Sequence, residues 1–120
     1  MRGFLLINSR LGFELFNLIK MRDCFGFEVR LTVERRAHIL QHPEMAGLEE
    51  AIPDTLESPR EVRLSRSDPS IRLFYRYYEN TPVGAKWLCV VVKYLEADAF
   101  VVTAYLTDKL KTGDILWPKK

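Results

Sequence analysis

Apolar positions recur at two different spacings along this chain, and the spacing changes near residue 60. Over residues 31–42, Val33, Ala37 and Leu40 fall on one stripe of a 3.6-residue repeat, which predicts a helix. Thr32 is placed to cap its start, and Glu34 lies in the first turn, where the helix dipole favours a carboxylate. Pro43 disfavours helical geometry at His42, so the helix is expected to stop there. Residues 44–57 predict a second helix with Met45, Leu48, Ile52 and Leu56 on one side, and Pro53 is expected to kink or split it. From residue 61 the period is two. Segments 61–66, 71–78, 86–94 and 100–107 predict strands, separated by turns at 67–70, 80–84 and 96–98. The third of these strands is almost wholly apolar, which predicts a central place in the sheet.

Connections this short imply antiparallel neighbours, because parallel pairing needs a crossover of a dozen residues or more. The expected fold is therefore α+β, with two N-terminal helices packed on a four-stranded antiparallel β-meander. Alternation is expected to place Leu73, Tyr75, Leu88, Val90, Val92, Val102 and Ala104 beneath the helices. Arg63, Ser65, Arg72, Arg76, Lys93, Thr103, Tyr105 and Thr107 are expected on the open face. Residues 109–120 form a basic tail expected to be irregular, with Trp117 docking back. At the other end, Leu11, Leu15, Leu18 and Ile19 fit one helical stripe, but Asn8, Ser9, Arg10 and Glu14 interrupt the apolar clusters. No run there is long enough to cross a bilayer, and no small-residue cleavage site follows. Residues 1–22 are expected as an N-terminal extension or short amphipathic helix, and residues 23–120 as a single domain.

Composition narrows the function classes. A chain of 120 residues with 48% apolar residues suits one compact domain, and a net charge of +2 does not suit a bulk nucleic-acid binder. Local charge says more. Arg60, Arg63, Arg66, Arg72 and Arg76 lie close together against only Glu61 and Asp68, which makes an anion site if they share a face and a solvated surface if they do not. Cys24 and Cys89 fit no metal or redox spacing, and Cys89 lies in an apolar run as a small hydrophobe. That usage suits a reducing cytoplasm.

The candidate chemistry begins with His38 and His42, the chain's two histidines, one helical turn apart. Imidazole is the side chain whose ordinary pKa lies nearest neutrality, so such a pair suits general acid–base work. The plainer reading is a solvated pair at a helix end. A zinc site of the His-Glu-x-x-His kind lacks its glutamate, because Ile39 stands in that place, so no metal or other cofactor is expected. Arg66 and Arg76 offer guanidinium forks that match phosphate oxygens, against the alternative of cross-strand pairing to carboxylates. Lys93 and Arg63 add charge, and the hydroxyls of Thr103, Tyr105, Thr107 and Ser65 can bind phosphate or orient a ribose. Phe74, Tyr75, Tyr77, Tyr78 and Trp87 are mostly core by count, with one or two free to stack on bases.

Five segments in this order carry a resemblance: residues 38–45 (HILQHPEM), 62–68 (VRLSRSD), 73–76 (LFYR), 87–93 (WLCVVVK) and 100–107 (FVVTAYLT). Together they resemble the barnase–EndoU–colicin–RelE superfamily of small metal-independent RNA-cleaving domains, in its phage- and toxin-associated bacterial branch. The resemblance spans about residues 26–118. It implies a ribonuclease-like fold, RNA as substrate, a toxin or effector role and a cognate inhibitor protein as partner. On this reading His38 or His42 takes the proton of a ribose 2′-hydroxyl. Arg66, Arg76 or Lys93 then stabilises charge on the phosphorus oxygens, with Thr103 assisting, and a second group protonates the leaving 5′-oxygen. The alternative is a non-catalytic RNA- or protein-binding accessory module of a toxin–antitoxin or phage system. No membrane partner is expected.

Overall fold

A computed structural model describes residues 18–119. Its chain order is β1 (Leu18–Arg22), β2 (Glu28–Thr32), α1 (Val33–Leu40), a 3-10 turn (Pro43–Met45), α2 (Ala51–Glu57), β3 (Glu61–Leu64), β4 (Ile71–Thr81), β5 (Gly84–Leu95), β6 (Asp98–Thr107) and β7 (Ile115–Trp117). The strands form one seven-stranded sheet in the order β1-β2-β6-β5-β4-β3-β7. All neighbours are antiparallel except β2 and β6, which run parallel with Arg30 opposite Phe100.

This overturns the expected fold class. The four predicted strands are present, but they are the middle of a mixed seven-stranded sheet and not a complete meander under two helices. Three short strands extend it. Residues 18–22, expected within an extension or a helix, are the edge strand β1; the rest of the amphipathic stripe lies outside the described residues. A tight turn joins β1 to β2. Asp23 is 3% exposed, and its Oδ1 accepts the backbone N–H groups of Phe25 and Phe27 at 2.9 Å each, while Gly26 takes a positive φ of 91° that a residue with a Cβ rarely adopts. Val29 and Leu31 then alternate into the core. The tail, expected to be irregular, contributes β7 against β3, and Trp117 packs edge-on against Phe25 with ring centroids 5.8 Å apart.

The helices are shorter than their hydrophobic pattern predicts. Thr32 caps α1 as expected, accepting the Arg35 N–H at 3.0 Å. The helix stops at Leu40, and His42 is already extended, as its place before Pro43 favours. In residues 44–57 the break comes at Gly47, where φ is +79°, and not at Pro53. Pro53 is the third residue of α2, a position whose N–H has no intrahelical acceptor to lose.

Both helices lie on one face of the sheet. Ile39, Met45, Leu48, Ala51, Ile52 and Leu56 pack there against Val62, Phe74, Leu88, Val90, Val92, Val101 and Ala104. The register of β4 on β5 places Phe74 opposite Val90, Arg72 opposite Val92 and Arg76 opposite Leu88. Residues directly opposite share a face, so Phe74, Arg72 and Arg76 belong to the helical side. Leu73 and Tyr75, opposite Val91 and Cys89, belong to the open side. The expected assignment of these residues is thereby reversed. A bulge after Val91 then pairs Val92 with Val101, and it is Val101 that lies in the core, 3% exposed, where Val102 was expected.

Candidate functional site

The open face carries a cleft of about 480 Å³ whose floor is Leu73, Val91, Thr103 and Tyr105. One wall is the β3–β4 turn, with Ser65, Arg66, Ser67 and Asp68; the other is the segment before β7, with Lys111 and Thr112. Each wall is held by identifiable bonds. Asp68 accepts the Ser70 N–H at 2.9 Å and the Ser70 hydroxyl at 2.6 Å, which closes the turn. These two bonds, with Lys93 nearby, hold the Asp68 carboxyl below the usual carboxylate range. On the far wall the Lys111 N–H donates to the Tyr75 hydroxyl at 3.0 Å, and the Lys111 carbonyl accepts from Arg63 at 2.8 Å.

The charges in and around the cleft differ in how free they are. Arg63 pairs with Glu61, and Lys93 lies 3.6 Å from Asp68. Among the described residues neither Arg66 nor Lys111 makes an ion pair. The Lys111 ammonium instead sits 5.9 Å from the centroid of the Tyr105 ring. Burial, with Cys89 alongside, pushes the Tyr105 phenol well above its ordinary value, and burial lifts Tyr75 to about 12 and Cys89 to about 11. At neutral pH all three are therefore protonated, and Tyr105 enters the cleft as a hydrogen-bond donor. A guanidinium, an ammonium, four aliphatic hydroxyls and a neutral phenol form a donor set suited to an anion with several oxygens.

Of the ten predicted site residues, Ser65, Arg66, Thr103 and Tyr105 line this cleft. Arg63 and Lys93 support its walls, and Thr107, opposite Trp87, lies further along the same face. The others are elsewhere. Arg76 is on the helical side, where its Nη1 donates to the Ser58 carbonyl at 3.0 Å at the end of α2. His38 and His42 are exposed and belong to the helical layer, on the opposite side of the sheet from the cleft. His38 shares a shallow hollow of about 310 Å³ with Thr32, Glu34 and Arg35, and His42 lies beyond the helix end, so the two imidazoles do not share a helical face. Lys111 and Thr112 were missed. Their signal was weak, a lysine and a threonine in a polar tail, since only the return of that tail over β3 brings them to the sheet.

Among the described residues no three His, Cys, Asp or Glu side chains are grouped to hold a metal ion, and no helix is long and apolar enough to cross a membrane. The fold and cleft define a mixed-sheet domain with one helical face and one open face that bears a cationic, hydroxyl-lined cleft. No family model matches the chain, and no curated protein or solved structure is significantly similar to it.

Proposed function

We propose that this protein acts on RNA and holds a phosphodiester in the open-face cleft. The observation that carries this reading is the convergence of Arg66 and Lys111, neither in an ion pair among the described residues, with Ser65, Ser67, Thr103 and Tyr105 around one concavity. The Arg66 fork can donate two parallel hydrogen bonds to phosphate oxygens, Lys111 adds a point charge, and the hydroxyls complete the donor shell. The resemblance to RNA-cleaving domains supports the same substrate class. In a toxin–inhibitor pair, charge complementarity makes this face the surface an acidic inhibitor would cover.

Metal-independent endoribonuclease activity is the second reading, and the hollow on α1 favours it. Glu34, Arg35 and His38 line one concavity, and in this reading they would serve as base, phosphate clamp and acid. In that reading Glu34 accepts the 2′-hydroxyl proton as the 2′-oxygen bonds to phosphorus. The bond to the 5′-oxygen breaks, His38 protonates that oxygen, and a 2′,3′-cyclic phosphate results.

One experiment separates the readings: the full chain titrated into a labelled single-stranded oligoribonucleotide with EDTA present, followed by both anisotropy and strand length. The cleft reading expects salt-sensitive binding, weakened by Arg66→Ala or Lys111→Ala, each lowering the salt slope by about one. Absence of binding at low salt overturns it. The endoribonuclease reading expects EDTA-resistant cleavage that Glu34→Gln and His38→Ala abolish; intact strands under saturating protein overturn it and leave a binding module.

A further inference from the structure

We infer that the RNA is taken up single-stranded, with an unpaired base stacked on Tyr77, a ring braced by Trp87, beside the cleft. The inference rests on the RNA reading of that cleft and names the form of RNA it fits. Tyr77, Trp87 and Thr107 lie side by side across β4, β5 and β6 on the open face. The next row is Tyr75, Cys89 and Tyr105, and the row after it, Leu73, Val91 and Thr103, is the cleft floor. Rows on one face are separated by two residues, about 6.6 Å, so the aromatic pair and the cleft belong to one continuous surface.

The rings are presented, not hidden. Tyr75, in the middle row, is fully buried, whereas Tyr77 is 43% exposed. Trp87 holds Tyr77 edge-on with centroids 5.2 Å apart and is itself braced by Tyr75 at 6.5 Å. A braced aromatic loses little freedom when a base lands on it, and every base offers a π-face. Cations stand on both sides. On the cleft side the Lys111 ammonium lies 5.9 Å from the Tyr105 ring centroid, and on the other Tyr77 shares a hollow with Arg60 and Arg76 that reaches toward the helical side. A strand whose base rests on Tyr77 thus has a positive group for the phosphate on either side. An A-form duplex keeps its bases stacked on one another and cannot present a free face. Charge complementarity and this continuity commit the surface to a flexible polyanion with exposed rings.

The test compares three probes on the full chain: a single-stranded oligoribonucleotide, a duplex of the same length, and linear polyphosphate of matched charge. We expect the single strand to bind most tightly. Tyr77→Ala should weaken it roughly five- to a hundredfold without changing the salt slope, Tyr77→Phe should keep wild-type affinity, and neither should alter polyphosphate binding. Tyr77 is exposed, so both variants are expected to fold, and circular dichroism checks it. Polyphosphate or duplex binding as tightly as the single strand, or unchanged affinity in Tyr77→Ala, overturns the stacking inference and leaves the cleft standing. Failure of all three probes to bind overturns both. Retained RNA binding in Arg66→Ala/Lys111→Ala, lost only with Tyr77→Ala, sinks the cleft as phosphate holder and keeps the aromatic surface.

Discussion

Gly113 shows how much a single residue decides here. A Cβ at this position would lie 2.1 Å from the Leu64 carbonyl oxygen, a backbone atom that cannot swing away, and the adjacent Leu64 N–H donates to the Asp114 carbonyl at 2.8 Å. Gly113→Ala is expected to cost on the order of 1–3 kcal/mol through this overlap, read as a lower urea midpoint at unchanged m-value. Because Lys111 is only two residues away, the proposed binding of RNA in the cleft should weaken with it. Two arginines make the complementary point. A charged residue in the middle of a strand signals a purpose, and the sequence singles out Arg76 in this way while Arg72 only joins the arginine cluster. Their purposes are structural: the Arg72 guanidinium lies 4.8 Å over Phe25 and 4.3 Å over Tyr94, while Arg76 satisfies the end of α2. Which face a strand arginine joins depends on register, and a one-residue difference exchanges the two sides of the sheet.

At the scale of elements, local chemistry was legible wherever it closed on itself. Thr32 accepts its bond from Arg35, three residues on, so the start of α1 is written within four residues. Thr32→Ala is expected to cost about 1 kcal/mol and Thr32→Ser to restore most of it, as thermal unfolding midpoints will show. The long strands β4, β5 and β6 were equally plain, β4 and β6 from their alternation and β5 from its almost wholly apolar run. β1, β2 and β7 were not: Leu18 and Ile19 of β1 also fit a helical stripe, β2 runs straight into the cap of α1, and β7 has only three residues. Each is held by a partner distant in sequence or by a short neighbour: β7 pairs with β3, and β2 lies parallel to β6 with Arg30 opposite Phe100. The cleft was half legible for the same reason. Ser65, Arg66, Thr103 and Tyr105 sit on or beside recognisable strands, and Lys111 and Thr112 do not.

The whole molecule distributes its titratable groups so that alkali weakens it. Burial raises Cys24 and Cys89 from 9.0 to about 11 and Tyr75 from 10.0 to about 12, and it lifts Tyr94 and Tyr105 further. Well below their ordinary values these groups are protonated whether the chain is folded or unfolded, and they make no difference to stability. Between the ordinary and the raised value the unfolded chain has released protons that the folded chain retains, so the free energy of unfolding falls as pH rises. The unfolding midpoint is expected to be insensitive to these groups up to about pH 9 and to decline above it, with Tyr105→Phe flattening the decline; a midpoint that holds steady through pH 11 to 12 contradicts the buried placement of these side chains. Sequence by itself determined the local facts: the capped helix at Thr32, the long strands, the net charge of only +2 with its arginine cluster, and a supply of hydroxyls near the C-terminal strands. Those features depend on interactions within a few residues, which periodicity and side-chain chemistry record directly. Only the tertiary structure decided that the sheet has seven strands, that Arg72 and Arg76 face the helices, that the histidines stand on the side away from the cleft, and that Lys111 meets Arg66 across it. Each of these rests on strand register or on contacts between segments far apart in the chain, and the cooperative packing that selects them leaves no mark on any short stretch of sequence.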